Sequence, residues 1–295
     1  AWGIGFNTRA DDLWLGNIAA GGGDDLDYRF LTDGTNTGDT IDTSPWVGVF
    51  AADMTYNPFT GMLWQLDVGG DDCLHELDPV SMVSTGNSIC PPFGTNERGL
   101  AYDPTTDTYY AGSWNDYIIN HFAPDGTILD SVDTGLAISG LAFNPATSHL
   151  FVMTNSFEGL DVYVLDTSQD YQVVGGFNVE GFDGYDQAGL EIDCDGHLWA
   201  VNQAYQTVLE IDSGETGVCD WMDIPWLSED PLSGSVAVGS DQAITLTFDT
   251  AGLDFGTYQA HLRLGEDTPY SLAAIPVTLV VVDTSSTIYL PLVFR

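Results

Sequence analysis

One segment pattern recurs five times along the chain, and no other feature limits the possible folds as strongly. The copies are GIGFNTRADDLWLGN from Gly3, DMTYNPFTGMLWQLD from Asp53, GLAYDPTTDTYYAGS from Gly99, GLAFNPATSHLFVMT from Gly140 and GLEIDCDGHLWAVNQ from Gly189. Each reads as a strand, a tight turn and a second strand. From the turn Asx to the aromatic of the second strand, Asn7 to Trp14, Asn57 to Trp64, Asp103 to Tyr110 and Asn144 to Phe151 are seven residues apart, and Asp193 to Trp199 six. The copies begin 41 to 50 residues apart, the length of a four-stranded propeller blade. The expectation is an all-β chain with a five-bladed β-propeller over residues 1–226. The first strand of each blade should line a central channel, with small residues where blades converge, and the second-strand aromatic should fill the seam between neighbouring sheets.

The first blade begins with its innermost strand, and the fifth is expected to carry four strands of its own, ending in VCDWMDIPW. The ring then closes without lending a strand across the junction. Four cysteines, Cys73, Cys90, Cys194 and Cys219, are spaced by 17 and 25 residues where paired in order. Those spacings fit no zinc pattern. Two disulfides are expected, Cys73–Cys90 linking outer strands of the second blade and Cys194–Cys219 tying the first and last strands of the fifth. Such bonds place the chain outside the cytosol. With Ala1 in place of Met, it reads as a mature secreted chain, and no run approaches the ~20 apolar residues of a membrane span.

After Trp226 the pattern changes. Alternation in AITLTFD and YQAHLRL, with turns rich in Gly, Ser and Asp, predicts an immunoglobulin-like β-sandwich over 227–283. Residues 284–295 are a polar spacer and an apolar strand. Ile288, Leu290, Leu292 and Phe294 fall on one face, with Tyr289, Pro291 and Val293 on the other. Pro291 cannot donate a ladder hydrogen bond, so the segment suits a sheet edge.

The blade segments, the junction CDWMDIPWLSEDPLSGSVAVGS, the stretch ITLTFDTAGLDFGTYQAHLRL and the tail IYLPLVFR together resemble large secreted proteins of environmental bacteria. In that group propeller repeats precede a bacterial immunoglobulin-like module, in some cases downstream of a subtilisin-type protease. The resemblance implies an accessory extracellular role in adhesion, surface display or assembly.

Charge narrows the partners. The chain has 44 Asp and Glu against 5 basic residues, all Arg, for a net charge of −39. Nucleic acid and direct membrane binding are excluded, because both draw on Lys and Arg. Part of the acidity is turn chemistry, since Asp103 and Asp193 replace Asn7, Asn57 and Asn144 at one turn position. No G-x-S-x-G segment occurs, and the five histidines are scattered singly, so no catalytic residue is assigned. A glycan-active propeller with carboxylates at its channel mouth is the third reading. No cofactor is expected and the acidic loops read first as solvated surface, with calcium the alternative through the loops holding Asp24, Asp25 and Asp27, Asp71 and Asp72, and Asp183 and Asp186. The leading expectation is a structural homopolymer, a filament, tube or surface layer in which Ile288–Phe294 adds a strand to an edge of the next copy. The second is a carbohydrate- or protein-binding module using Tyr185, Tyr205, Phe157 and Trp46 as a platform.

Overall fold

A computed structural model describes residues 1–17, 24–93, 97–217, 219, 226–231, 234–236, 240–253, 255–262 and 275–282 of the chain. They divide into two units, Ala1–Cys219 and Asp220–Arg295.

The first unit is a five-bladed β-propeller. Blade 1 comprises β1 (Ile4–Asn7), β2 (Asp12–Gly16), β3 (Leu26–Leu31) and β4 (Asn36–Asp42), and blade 2 comprises β5 (Phe50–Asn57), β6 (Met62–Val68), β7 (Leu74–Asp78) and β8 (Val83–Ile89). Blade 3 holds β9 (Glu97–Asp103), β10 (Thr108–Ser113), β11 (Ile118–Phe122) and β12 (Ile128–Asp133). Blade 4 holds β13 (Ile138–Asn144), β14 (His149–Thr154), β15 (Val162–Asp166) and β16 (Gln172–Phe177). In blade 5, β17 (Gln187–Ile192), β18 (His197–Asn202) and β19 (Thr207–Asp212) pair in sequence order. Pairing is antiparallel throughout.

Inner and outer strands differ as their position requires. Every residue of β9 and β13 is buried, whereas β16 is almost wholly exposed. Strands covered on both faces tolerate runs of apolar and small residues without alternation. The recurring Asx sets the turn between the first two strands of each blade. Asn7 Oδ1 accepts from Arg9 N, Asn57 from Phe59 N, Asp103 from Thr105 N, Asn144 from Ala146 N and Asp193 from Asp195 N, all at 2.8–3.1 Å. Asn and Asp interchange because either side-chain oxygen can cap this turn.

The second-strand aromatics occupy the seams. Trp14 packs with Met54, Tyr56 and Leu63 of blade 2, and Trp64 with Leu100, Tyr102 and Phe122 of blade 3. Tyr110 meets Leu141 and Phe143 of blade 4, Phe151 meets Leu190 and Leu198 of blade 5, and Trp199 meets Ile4, Phe6 and Leu13 of blade 1. All five are buried, Trp14 and Phe151 completely. Among the described residues, the last seam closes the ring with no strand shared between blades 1 and 5. There Gly189 N donates to Trp2 O at 2.8 Å, Trp2 Nε1 to Gln203 Oε1 at 2.7 Å, and the terminal amine to Gln206 Oε1 at 2.5 Å.

Both expected disulfides are formed. Cys73 directly precedes β7 and Cys90 directly follows β8, so that bond joins outer strands of blade 2. The second corrects the expectation in detail, because Cys194 lies in the β17–β18 turn and Cys219 in a bend, neither in a strand. The chain approaching Cys219 passes against that turn, where a Cβ on Gly217 would strike Gly196 N and Asp193 O. Glu215 reaches blade 4 there, accepting from Asn144 Nδ2, Thr147 Oγ1 and His149 Nδ1 at 2.5–3.0 Å. Of the fourth strand expected in VCDWMDIPW, only Cys219 and Trp226 fall among the described residues.

In the second unit, β20 (Leu227–Asp230) pairs with β21 (Thr245–Phe248), and β22 (Gly256–Leu262) with β23 (Ile275–Val281). Buried Trp226, Leu227 and Val277 centre its core, with Leu246, Leu253, Tyr258 and Leu279 packed on them. The tail strand expected at Ile288–Phe294 lies outside the described residues.

Candidate binding face and axial carboxyl

The five repeats are not equivalent at their first position. Where four of them carry Gly3, Gly99, Gly140 and Gly189, the second carries Asp53. That side chain lies buried among the inner strands of all five blades. Its Oδ1 accepts Ile4 N at 3.2 Å from blade 1, and its Oδ2 accepts Leu100 N at 3.3 Å, Leu141 N at 3.2 Å and Leu190 N at 3.5 Å from blades 3, 4 and 5. One carboxyl from blade 2 thus binds the other four. The glycines make this arrangement possible, since a Cβ on Gly189 would collide with Asp53 Oδ1, and one on Gly99 or Gly140 with the next blade's backbone. Burial pushes the Asp53 carboxyl well above the ordinary range, against the lowering pull of its backbone donors.

Glu191, two residues beyond Gly189 on β17, adds a second axial carboxyl. It accepts from Ile192 N at 3.0 Å and is also bonded by Thr55 and the Phe6 backbone. Burial raises it to about 8. Sequence reasoning missed both groups. The available signal was an acid at a position of small residues when the copies are aligned, Asp53 against Gly3, Gly99, Gly140 and Gly189, and Glu191 against Gly5, Thr55, Ala101 and Ala142.

Antiparallel order makes the connections alternate between the two ends of the ring. Turns between first and second strands, and between third and fourth, lie at one end, here the lower. Second-to-third and blade-to-blade connections lie at the other, the upper. Trp2, Trp114, Tyr117, Phe157, Tyr185 and Tyr205 therefore share the upper face. Phe157 is 72% exposed, Tyr205 71% and Tyr185 50%, and Phe157 meets Tyr185 edge to face at 4.3 Å. Their backbone supports are polar: Tyr185 O accepts from Asn155 Nδ2 and Gln203 Nε2, and Trp114 Nε1 donates to Asn155 O at 3.1 Å. Trp46 does not join the open platform. It is half-buried and stacked on His75 at 4.3 Å.

At the upper end of β9, Arg98 is only 8% exposed, with its guanidinium 4.2 Å from the Trp2 ring and 5.4 Å from that of Trp114. Burial brings Arg98 down to about 10, and the nearby Asp53 pulls it back upward. Beside it, buried Glu97 accepts from Asn120 Nδ2 at 2.9 Å and is pushed up to about 8 by burial.

The acidic loops open on this same face but do not act alike. Exposed Asp24 accepts from Asn17 Nδ2 and Tyr28 Oη, and the Asp25 carbonyl accepts from Thr43. Asp27 points away from both. It is fully buried in β3 against Gln65 Nε2 of blade 2 at 3.4 Å, and burial raises it to about 8. Asp72 turns back to Gly69 N, Asp183 is exposed, and Asp186 contributes its carbonyl to Gln203 N. Among the described residues, Asp71 is the one calcium candidate in a three-ligand cluster, with Asp67 and His75. Asp67 already accepts from Gly48 N and Asp71 N, and Asp71 Oδ1 lies 3.1 Å from His75 Nε2. An imidazole nitrogen among the donors suits first-row divalent metals better than calcium. A second cluster, Asp193, His197 and Glu210, lies on blade 5.

Fold and face define a disulfide-bonded β-propeller carrying an aromatic upper surface. No family model and no curated protein matches the chain. Among solved structures it is similar to one titled "Crystal structure of Nidogen/Laminin Complex", at 16% identity and a TM-score of 0.47, over 73% of this chain and 81% of that one. Among the described residues no helix is long and apolar enough to cross a membrane.

Proposed function

We propose that the chain is a secreted, non-catalytic binding module whose upper propeller face takes an extracellular polysaccharide. The observation that carries the reading is the exposure of Phe157, Tyr185 and Tyr205 together at one end of a rigid ring. Aromatic rings held open to water by a hydrogen-bonded backbone offer flat apolar surface, as sugar faces require. The carboxyls at the axis favour binding over turnover, because both oxygens of Asp53 are spent on backbone donors. The two disulfides agree with an oxidising compartment. The immunoglobulin-like assignment of the second unit belongs to this reading as a spacer. No cofactor is required, and Asp67, Asp71 and His75 mark the first place to seek a divalent cation.

The test is a panel of neutral and acidic polysaccharides titrated with the native chain and with Phe157→Ala/Tyr185→Ala/Tyr205→Ala. Saturable binding that falls at least tenfold in the triple variant supports the reading. Equal binding by both proteins, or none by the native chain, contradicts it.

Self-assembly is the second reading, favoured by β16. This edge strand, QVVGGF, carries no charge and exposes Val173 and Val174 at 54% and 47%. Edges are usually guarded by charge, proline or a bulge; β16 has neither charge nor proline, and its one guard is the bulge at Val174 opposite Val164 and Leu165. The equally uncharged Ile288–Phe294 of another copy is the proposed complement. Sedimentation across a salt series, with and without residues 284–295, tests it. Assembly lost with the tail supports it, and a monomer at every salt concentration rejects it.

A further inference from the structure

We propose that Arg98 anchors a carboxylate of the ligand, a uronate unit of an acidic saccharide, between Trp2 and Trp114 at the upper mouth of the channel. The inference rests on the upper face being the binding surface. Three observations carry it. First, Arg98 is only 8% exposed, yet among the described residues its guanidinium has no hydrogen-bond or ion-pair partner, and it lies 4.2 Å from the Trp2 ring and 5.4 Å from that of Trp114. The other propeller arginines are engaged: Arg29 bridges Asp12 and Asp39, and Arg9 donates to Pro58 O. A buried charge without a counterion is costly, and five fixed donors match a carboxylate in bidentate fashion.

Second, the neighbouring acids do not supply that counterion. Asp53 favours the Arg98 charge from nearby but has both oxygens on backbone donors. Glu97 is bonded to Asn120, and among the described residues neither forms an ion pair with Arg98. Third, the flanking rings are of the kind that stacks on a pyranose, and Trp2 and Trp114 are each partly open to solvent. A singly charged carboxylate also meets less repulsion from a chain of net charge −39 than a doubly charged phosphate would.

The experiment titrates the native protein, Arg98→Gln and Arg98→Lys with oligogalacturonate, with a neutral galactan oligomer of equal length, and with acetate. It is run at 0.15 M salt, where the Debye length is about 8 Å and long-range repulsion is screened. Calorimetry gives affinity, and tryptophan fluorescence reports the flanking rings. The expected result is oligogalacturonate binding that quenches fluorescence, falls at least thirtyfold in Arg98→Gln and is partly kept in Arg98→Lys, with acetate competing only at high concentration. Equal oligogalacturonate affinity in the native protein and Arg98→Gln overturns the inference, as does no oligogalacturonate binding by the native protein. Neutral-oligomer binding unaffected by Arg98 but lost in the triple aromatic variant leaves the face reading standing while removing the carboxylate. Absence of binding by either oligomer removes both. Should Arg98→Gln fail to fold, Trp114→Ala supplies the second variant, with the same thirtyfold loss expected and equal affinity counting against the inference.

Discussion

Asp53 is the residue at which the ring's approximate fivefold symmetry is both used and broken. Its oxygens lie 3.2–3.5 Å from four backbone donors, longer than the ~2.9 Å of an ordinary N–H···O bond. Each bond is individually weak, yet removing the carboxyl leaves several buried N–H groups unpaired at about 1–3 kcal/mol apiece before water enters. Asp53→Ala is therefore expected to lower unfolding free energy by about 3 kcal/mol, and Asp53→Asn by roughly a third of that, since the amide keeps one acceptor oxygen. Urea unfolding of the two variants measures the difference; equal losses would mean that packing, not acceptance, is the role of this side chain. At the exposed rim the reverse holds. Tyr205→Ala should change stability by no more than about 0.5 kcal/mol while weakening saccharide binding, which one thermal scan and one titration would establish.

At the scale of strands and seams, much of the fold was legible because the repeat carries its own register. The turn Asx and the second-strand aromatic were readable as cap and seam-filler, and both serve as expected in all five blades. The disulfide partners were legible from spacing, but not that Cys194 sits in a turn. That placement follows from how the chain after β19 folds beneath β17 and β18, which no local pattern records. The candidate site was less legible. Acidic loops look alike in sequence, whereas in the structure Asp27 is interior and Asp24 is at the surface, because strand alternation turns one inward. Arg98 drew no notice because its importance comes from Trp2 and Trp114, 96 and 16 residues away along the chain. Two outcomes belong to this scale. Trp14→Ala, emptying the seam between blades 1 and 2, should cost about 3–5 kcal/mol. Replacing Cys73 and Cys90 by Ser should cost about 3 kcal/mol on the chain-entropy argument. Calorimetric unfolding of each variant checks both, and a seam variant as stable as the native chain would refute the assignment of Trp14 to the core.

For the whole molecule, the buried acids set how stability responds to pH. Asp27, Glu97 and Glu191 are raised to about 8 and Asp53 is raised as well, against ordinary values of 3.8 for Asp and 4.5 for Glu. A carboxyl with a raised folded-state pKa contributes stability that is fully present below its unfolded value and is lost as pH rises through the folded one. Exposed acids such as Asp33 and Asp125 are shifted the other way by turn hydrogen bonds, but their contribution is screened by solvent. The melting temperature should accordingly fall between about pH 5 and pH 9, with a shallower fall in Glu191→Gln. A rise over that interval would mean that these carboxyls ionise freely in the folded state. The account's central claim, that the upper face binds saccharide, is tested most directly by hydroxyl-radical footprinting of the native chain with an acidic polysaccharide. It predicts protection of Trp2, Trp114, Phe157, Tyr185 and Tyr205, with Val80 and Met82 on the lower face unchanged. Protection confined to the lower face or to Val173 and Val174 on β16 would contradict it.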